Sequence, residues 1–298
     1  MRYKSLFPWI LLLAIMLLLG EIAKLSIKEP LFAEKIPLIY LAAIFIGGLL
    51  IIGGEKGLKS VAMLMFTIVA VVKVLIPLIL GGYDPLAVAI GICIVNIIFA
   101  LIVIGGCNRK TMAAVIGTSG GVIIAGITAF IIGNMANLNG LSNDESIHLM
   151  LYSKEIDFKG LLFAGIIIGA MGAVMDVGMS IASAMNEIEH ANPRIGTQEL
   201  IDAGMNVGRD VMGTMADTLI LAYVGSGLNI MLMFSSYGMS FLQIISLDNV
   251  AAEIVRSLAG SIGLIFTVPI TAVAAGLLRC KKHCAYDLPE SEEEREIS

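Results

Sequence analysis

The sequence predicts an all-α protein: a polytopic transmembrane helical bundle of about eight spans, with both termini cytoplasmic. Three observations point there. Of the 298 residues, 58% are hydrophobic and 14% charged, with a mean hydropathy of +0.93; a soluble domain has about 25% charged residues and could not bury this much apolar surface. The apolar residues form continuous runs of spanning length and do not alternate, so β-barrel strands are excluded. Lys and Arg concentrate on every second connection.

Spanning helices need about 20 residues. The candidates are 6–23, 38–52, 61–80, 86–104, 111–132, 161–185, 211–234 and 251–278. The first is expected to stay attached and not to act as a signal peptide, because Glu21 and Lys24 follow its apolar run 6–19 and no small-residue cleavage site does. Pro37 suits the first turn of the second, and Pro77 and Pro269 are expected to kink the third and eighth. With the N-terminus inside, the inner segments hold Arg2, Lys56, Lys59, Arg109, Lys110, Arg194, Arg209 and Arg279, among others, against Lys24, Lys28, Lys35, Lys154 and Lys159 outside, a bias that favours both termini in the cytoplasm although the first outer loop carries three lysines.

Three connections are long. The outer loop 134–159 carries a capping-box pattern from Ser142 to Glu145 before a short helix. The inner loop 186–210 should stop a helix at Asn192-Pro193 and start another near Thr197. The outer loop 235–250 should hold a short interfacial helix from Met239. The domains expected are an N-terminal anchor with a short outer loop (1–36), a transmembrane domain (37–279) and an acidic disordered tail (280–298). That tail supplies much of the formal charge of −5.

Charges inside the spans carry the functional argument. An Asp at the centre of a spanning helix costs about 2.5 to 3.5 kcal/mol on insertion scales. Asp176, Ser180, Ser183 and Glu187 recur at helical spacing and make one polar stripe on the sixth span. The seventh span places Arg209, Gly213 and Asp217 on one face and Asp210, Thr214 and Thr218 on the next. At 1.5 Å per residue Asp176 lies about 8 Å from the inner boundary and Asp217 about 9 to 12 Å from it. The two carboxylates are therefore expected at similar depth on consecutive antiparallel helices, facing each other. In a low dielectric they cannot both ionise cheaply, so the pair would share a proton and titrate as a unit. Lys73, about 18 Å into the third span, is the candidate counter-charge, and Asn96 is a further polar candidate. The proton-pathway candidates are thus Asp176, Asp217, Lys73, Ser180, Ser183 and Thr214. Arg209 with Glu187, and Glu253 with Arg256, are gate candidates. The competing reading is helix–helix glue, and for Glu253 and Arg256 an interfacial salt bridge.

Other classes fall away. No basic stripe or aromatic platform suggests nucleic acid. Cys280, Cys284 and Cys107 match no zinc spacing, and no metal or cofactor is expected. No nucleophile–base set or phosphate-binding loop is present, so the chain is not expected to be an enzyme. Gly165, Gly169 and Gly172, and Gly117 through Gly121, form small-residue faces. They suit close helix packing or, alternatively, a water-accessible crevice.

The runs Gly172-Ala-Val-Met-Asp176-Val-Gly-Met-Ser180 and Gly208-Arg-Asp-Val-Met-Gly-Thr-Met-Ala-Asp217, with Gly260-Ser-Ile-Gly and Val268-Pro-Ile-Thr, resemble the YibE/F family of bacterial multi-span proteins. The resemblance covers most of the chain. It implies the bacterial cytoplasmic membrane and a paralogous membrane subunit or homo-oligomer as partner, besides the bilayer itself. It implies no assigned activity. The order Asp176…Glu187, Arg209…Thr214…Thr218 is also faintly similar to helices of the protein-export SecD/SecF and resistance–nodulation–division transporters. That similarity implies proton-driven work by a permease or export-assisting protein; a non-transporting scaffold or subunit is the alternative.

Overall fold

The computed structural model describes residues 36–141, 144–152 and 156–283. The expected first span, Ser142 of the capping box and the acidic tail from residue 284 lie outside the described residues. All regular elements among the described residues are helices, and six are long and apolar enough to cross a membrane.

The chain divides after Val69 into two compact units. Helix α1 (Ile36–Ala70) makes up the described part of the first. It is not one rod. Gly54 adopts φ 55° and ψ −126°, which a residue with a Cβ rarely tolerates. The chain folds back there, and Gly57 comes against the Leu49 carbonyl. The expected spans 38–52 and 61–80 thus begin on two antiparallel arms, with Lys56 and Lys59 just beyond the bend.

The second unit opens with a π-helical turn, Val71–Leu75, followed by α2 (Ile76–Leu80). The Ile76 N–H reaches the Val71 carbonyl, five residues back. Pro77 has no N–H to give, and the wider turn absorbs the misfit where a sharp kink was expected. Helix α3 (Pro85–Gly105) is capped by Asp84, which accepts from the Leu86 N–H at 2.8 Å. Asn108 caps α4 (Arg109–Met135), accepting from the Thr111 N–H at 2.9 Å. A short α5 (Asp144–Tyr152) precedes α6 (Phe158–Ala191), which Asp157 caps. Helix α7 (Thr197–Ser236), α8 (Phe241–Ile245) and α9 (Asp248–His283) complete the chain. The interfacial segment near Met239 is α8, begun by a Ser240–Gln243 capping box.

The connection expected over 186–210 is far shorter than the apolar runs suggested. Helix α6 continues to Ala191 and α7 starts at Thr197. The extra turns are polar, so hydropathy ended the spans while helical propensity continued the helices. Pro193 still sets the stop, with Asn192 in a non-helical conformation (ψ 85°).

Helices α4 and α9 form the centre, with α6 and α7 packed on α9, and α3 against α4 and α6. Ile97, Val122, Ile167, Val174, Val177 and Leu264 are fully buried between them. In lipid the hydrophobic effect does not drive helices together, so the contact must come from close packing. Small residues permit it at three levels along the antiparallel α4–α9 crossing. Gly117 meets Thr271, Gly121 meets Thr267, and Ala125 meets Gly263. Hydroxyls in the seam are mostly spent within their own helices: Thr118 Oγ1 donates to the Ala114 carbonyl at 2.7 Å, and Thr267 Oγ1 to that of Gly263 at 2.8 Å. Thr271 Oγ1 occupies the space a Cβ on Gly117 would take, and is buried there without a hydrogen-bond partner among the described residues.

Gly121→Val should therefore push α4 off α9 and destabilise the protein by about 2 to 3 kcal/mol. Gly165→Ala, where nothing lies within 4 Å, should be neutral within about 0.5 kcal/mol. Thermal unfolding of both variants in detergent distinguishes the two positions.

Candidate functional site

The polar stripe exists as a single face of α6. Asp176, Ser180 and Glu187 are exposed and Ser183 is half-buried. Val174, Val177, Gly178, Ile181 and Met185, on the other side of the helix, are buried in the core. Towards its start the same face continues as Gly172, Gly169 and Gly165. Gly165 and Gly172 have nothing within 4 Å of where a Cβ would stand, and Gly169 meets only the Tyr223 hydroxyl region. From Gly165 to Glu187 this open face is about 33 Å long, close to the thickness of a bilayer's hydrocarbon. Asp176 has no hydrogen-bond or salt-bridge partner among the described residues.

Asp217 sits elsewhere. Gly204 of α7 packs on Met185, Gly208 on Ile181 and Val268, and Leu219 lies over Gly260. These residues define the inward face of α7. Nine residues separate Gly208 from Asp217, two and a half helical turns, so Asp217 points away from both α6 and α9. It is exposed and also lacks a partner among the described residues. The Met185–Gly204 and Ile181–Gly208 register sets Asp176 opposite about residue 213, four residues, or about 6 Å along the axis, from Asp217. Their faces differ, so the chain does not bring them together. Depth depends on counting along the helix, whereas facing depends on which side the neighbour occupies, and that information is non-local.

The other candidates are placed as follows. Lys73 lies exposed in the π-helical turn and forms no ion pair with Asp176. Leu75 and Ile79, next along, pack near Ala164 at the start of α6, a little over three turns, about 18 Å, from Asp176. Thr214 Oγ1 donates to the Val211 carbonyl at 3.0 Å. Arg209 donates to Asn206 Oδ1 at 2.8 Å within its own helix and not to Glu187. Asn96 is buried, its Nδ2 3.8 Å from the Met171 sulfur. Glu253 and Arg256 do form an ion pair, at 2.8 Å and about three-quarters buried, and the guanidinium stands 5.9 Å from the centre of the Tyr223 ring. No group of three His, Cys, Asp or Glu suited to a metal occurs among the described residues.

One arrangement escaped the sequence. Arg279, counted only as an orienting charge, reaches back from α9 to the α6–α7 connection. Its Nη1 donates to the Ile195 carbonyl and its Nη2 to that of Pro193 at 2.9 Å, while Nε lies 3.2 Å from Glu189 Oε1. The planar guanidinium thus serves three acceptors at once. The signal available beforehand was an Arg–Glu pair at matching depth, with no way to rank it above other such pairs. Arg279→Ala should free residues 192–196; limited proteolysis should cut there several-fold faster while the rest of the bundle resists.

The family model for YibE/F-like proteins matches residues 41–281. No curated protein and no solved structure matches the chain. With a match over most of its length, and the apolar helices of a membrane protein to go with it, the chain belongs to the YibE/F-like family.

Proposed function

We propose that this membrane protein is a proton-coupled permease or export-assisting component of the bacterial cytoplasmic membrane. In this reading it has about eight spans and both termini in the cytoplasm, and works against a second membrane subunit, either a paralogue or another copy. One observation carries the reading. Asp176 lies on an exposed face of α6 that α7 touches only where the Tyr223 hydroxyl meets Gly169. A carboxyl group there costs about 2.5 to 3.5 kcal/mol, and no contact within the bundle offsets that cost. Helix glue would be spent on a neighbouring helix of the same bundle, and Asp176 is not.

In this mechanism Asp176 takes up a proton, and Ser180 and Ser183 extend a hydrogen-bonding path along the same stripe towards Glu187. Asp217 and Thr214 offer a second proton-binding face on α7. Lys73 and Arg209 supply counter-charge as the helices shift, Arg209 with Glu187 closes one end, and Glu253 with Arg256 closes the other. No step uses a cofactor or a catalytic nucleophile. A second reading, a non-transporting scaffold, draws support from the same face: Gly165, Gly169 and Gly172 would let a partner helix approach closely.

Asp176→Asn separates the two readings. If Asp176 is a proton site, the variant inserts and melts like the wild type, within about 0.5 kcal/mol. Difference infrared spectra between acid and alkaline pH should then show a protonated-carboxyl band in the wild type that the variant loses, and proton uptake by proteoliposomes should fall with it. An unchanged band, combined with weaker subunit association, would assign the stripe to the scaffold reading.

A further inference from the structure

An apolar groove of about 640 Å³ runs between α4 and α9 and is open along one side. Ile116 borders it on α4, and Ile270, Val273 and Leu277 border it on α9. Buried Ala274 is its floor, a small residue among long ones. The volume falls in the range of about 300 to 1,000 Å³ typical of small-molecule sites. From Pro269 to Leu278 the groove follows about 14 Å of helix, half of the roughly 30 Å of hydrocarbon. That is the depth of one leaflet. A spanning partner helix would need a trough through both.

One end of the groove is basic. The crossing that pairs Gly117 with Thr271 and Gly121 with Thr267, extended by the same register, brings Arg109 level with Arg279 and Lys110 level with Leu278. Arg109 and Ile116, seven residues apart, share one face of α4. Arg109 is exposed and Lys110 half-buried, and neither has an ion pair or a side-chain hydrogen bond among the described residues. Glu189, which borders the same small recess, is already paired with Arg279. The sequence of α9 follows Leu277 and Leu278, one turn on, with Lys281 and Lys282.

We propose that this groove binds one anionic phospholipid from the leaflet that borders the start of α4. An acyl chain lies along Ile116, Ala274 and Leu277, and the phosphate meets Arg109 and Lys110. Charge selects the head, because a zwitterionic lipid would bring its own cation against these residues. An acidic peptide would match the charge but not the apolar groove beneath it. Basic pockets between transmembrane helices are a recurrent place for anionic headgroups. Bound there, the lipid ties α4 to α9 at the end where Arg279 holds the α6–α7 connection.

The test uses the full chain in vesicles of phosphatidylcholine with a minor share of phosphatidylglycerol that carries a diazirine on its acyl chain. Crosslinks should concentrate on residue 116 and residues 269–278, and the same diazirine on phosphatidylcholine should not enrich there. Arg109→Gln combined with Lys110→Gln should lower groove labelling about fivefold for each charge removed. Arg194→Gln, a charge on the α6–α7 connection and off the groove, should leave it unchanged. Ala274→Phe, whose ring grows into the groove, should abolish it; the double Gln variant decides the matter should Ala274→Phe fail to fold. Equal labelling by the phosphatidylcholine probe, or crosslinks spread evenly over the lipid-facing helices, would reduce the groove to bulk lipid contact and overturn the site. Competition by inorganic phosphate, an equal loss in Arg194→Gln, or unchanged labelling in either folded groove variant would overturn it too.

Discussion

The close approach of α4 and α9 is the constraint on which the bundle rests. In a bilayer each backbone amide must be satisfied within its own helix, and cohesion between helices is left to dispersion and small-residue fit. Gly117 and Gly121 remove the Cβ atoms that would hold the axes apart, and Thr267 and Thr271 fill the grooves so opened. Position along α9 follows from this seam. It sets Arg279 beside the α6–α7 connection at one end and Glu253 with Arg256 beside Tyr223 at the other. A displaced α9 would lose both fastenings at once.

The treatment of polar groups divides the same way. Inside the seam, Thr118, Thr267 and Ser261 return their protons to carbonyls one turn back and demand nothing of their neighbours; Thr271 is the exception. Asp176 and Asp217, by contrast, are kept out of the packed interior altogether. The bundle holds together without them, and any stabilisation they give or require must come from outside the described fold.

Much of the fold was legible in the sequence, because its information is local. Continuous apolar runs marked the helices, Asn192-Pro193 a stop and Thr197 the next start, whereas the caps at Asp84, Asn108 and Asp157 went unread. The spacing of Asp176, Ser180, Ser183 and Glu187 gave a single polar face. What the sequence could not show was the azimuth of one helix relative to another. Asp217 was therefore expected opposite Asp176 when it stands on the far side of α7. Helix length was also misjudged at 186–210, since hydropathy reports where lipid ends and not where the helix does. The fold-back at Gly54 was foreshadowed by two apolar runs separated by lysines. The reach of Arg279 to two backbone carbonyls had no sequence signature.

Helices α6 and α7 run for 34 and 40 residues, about 51 and 60 Å of rod, against roughly 30 Å of hydrocarbon. Neither contains proline, so neither loses a helix hydrogen bond to a missing N–H. Joined by a connection that Arg279 pins to α9, they form a pair of rods whose tip, the polar turns from Asn186 to Arg209, is the length left over once the hydrocarbon is spanned. Any soluble body that leaned on that tip would tilt the buried segments, and leverage applied in water would be felt at the depth of Asp176.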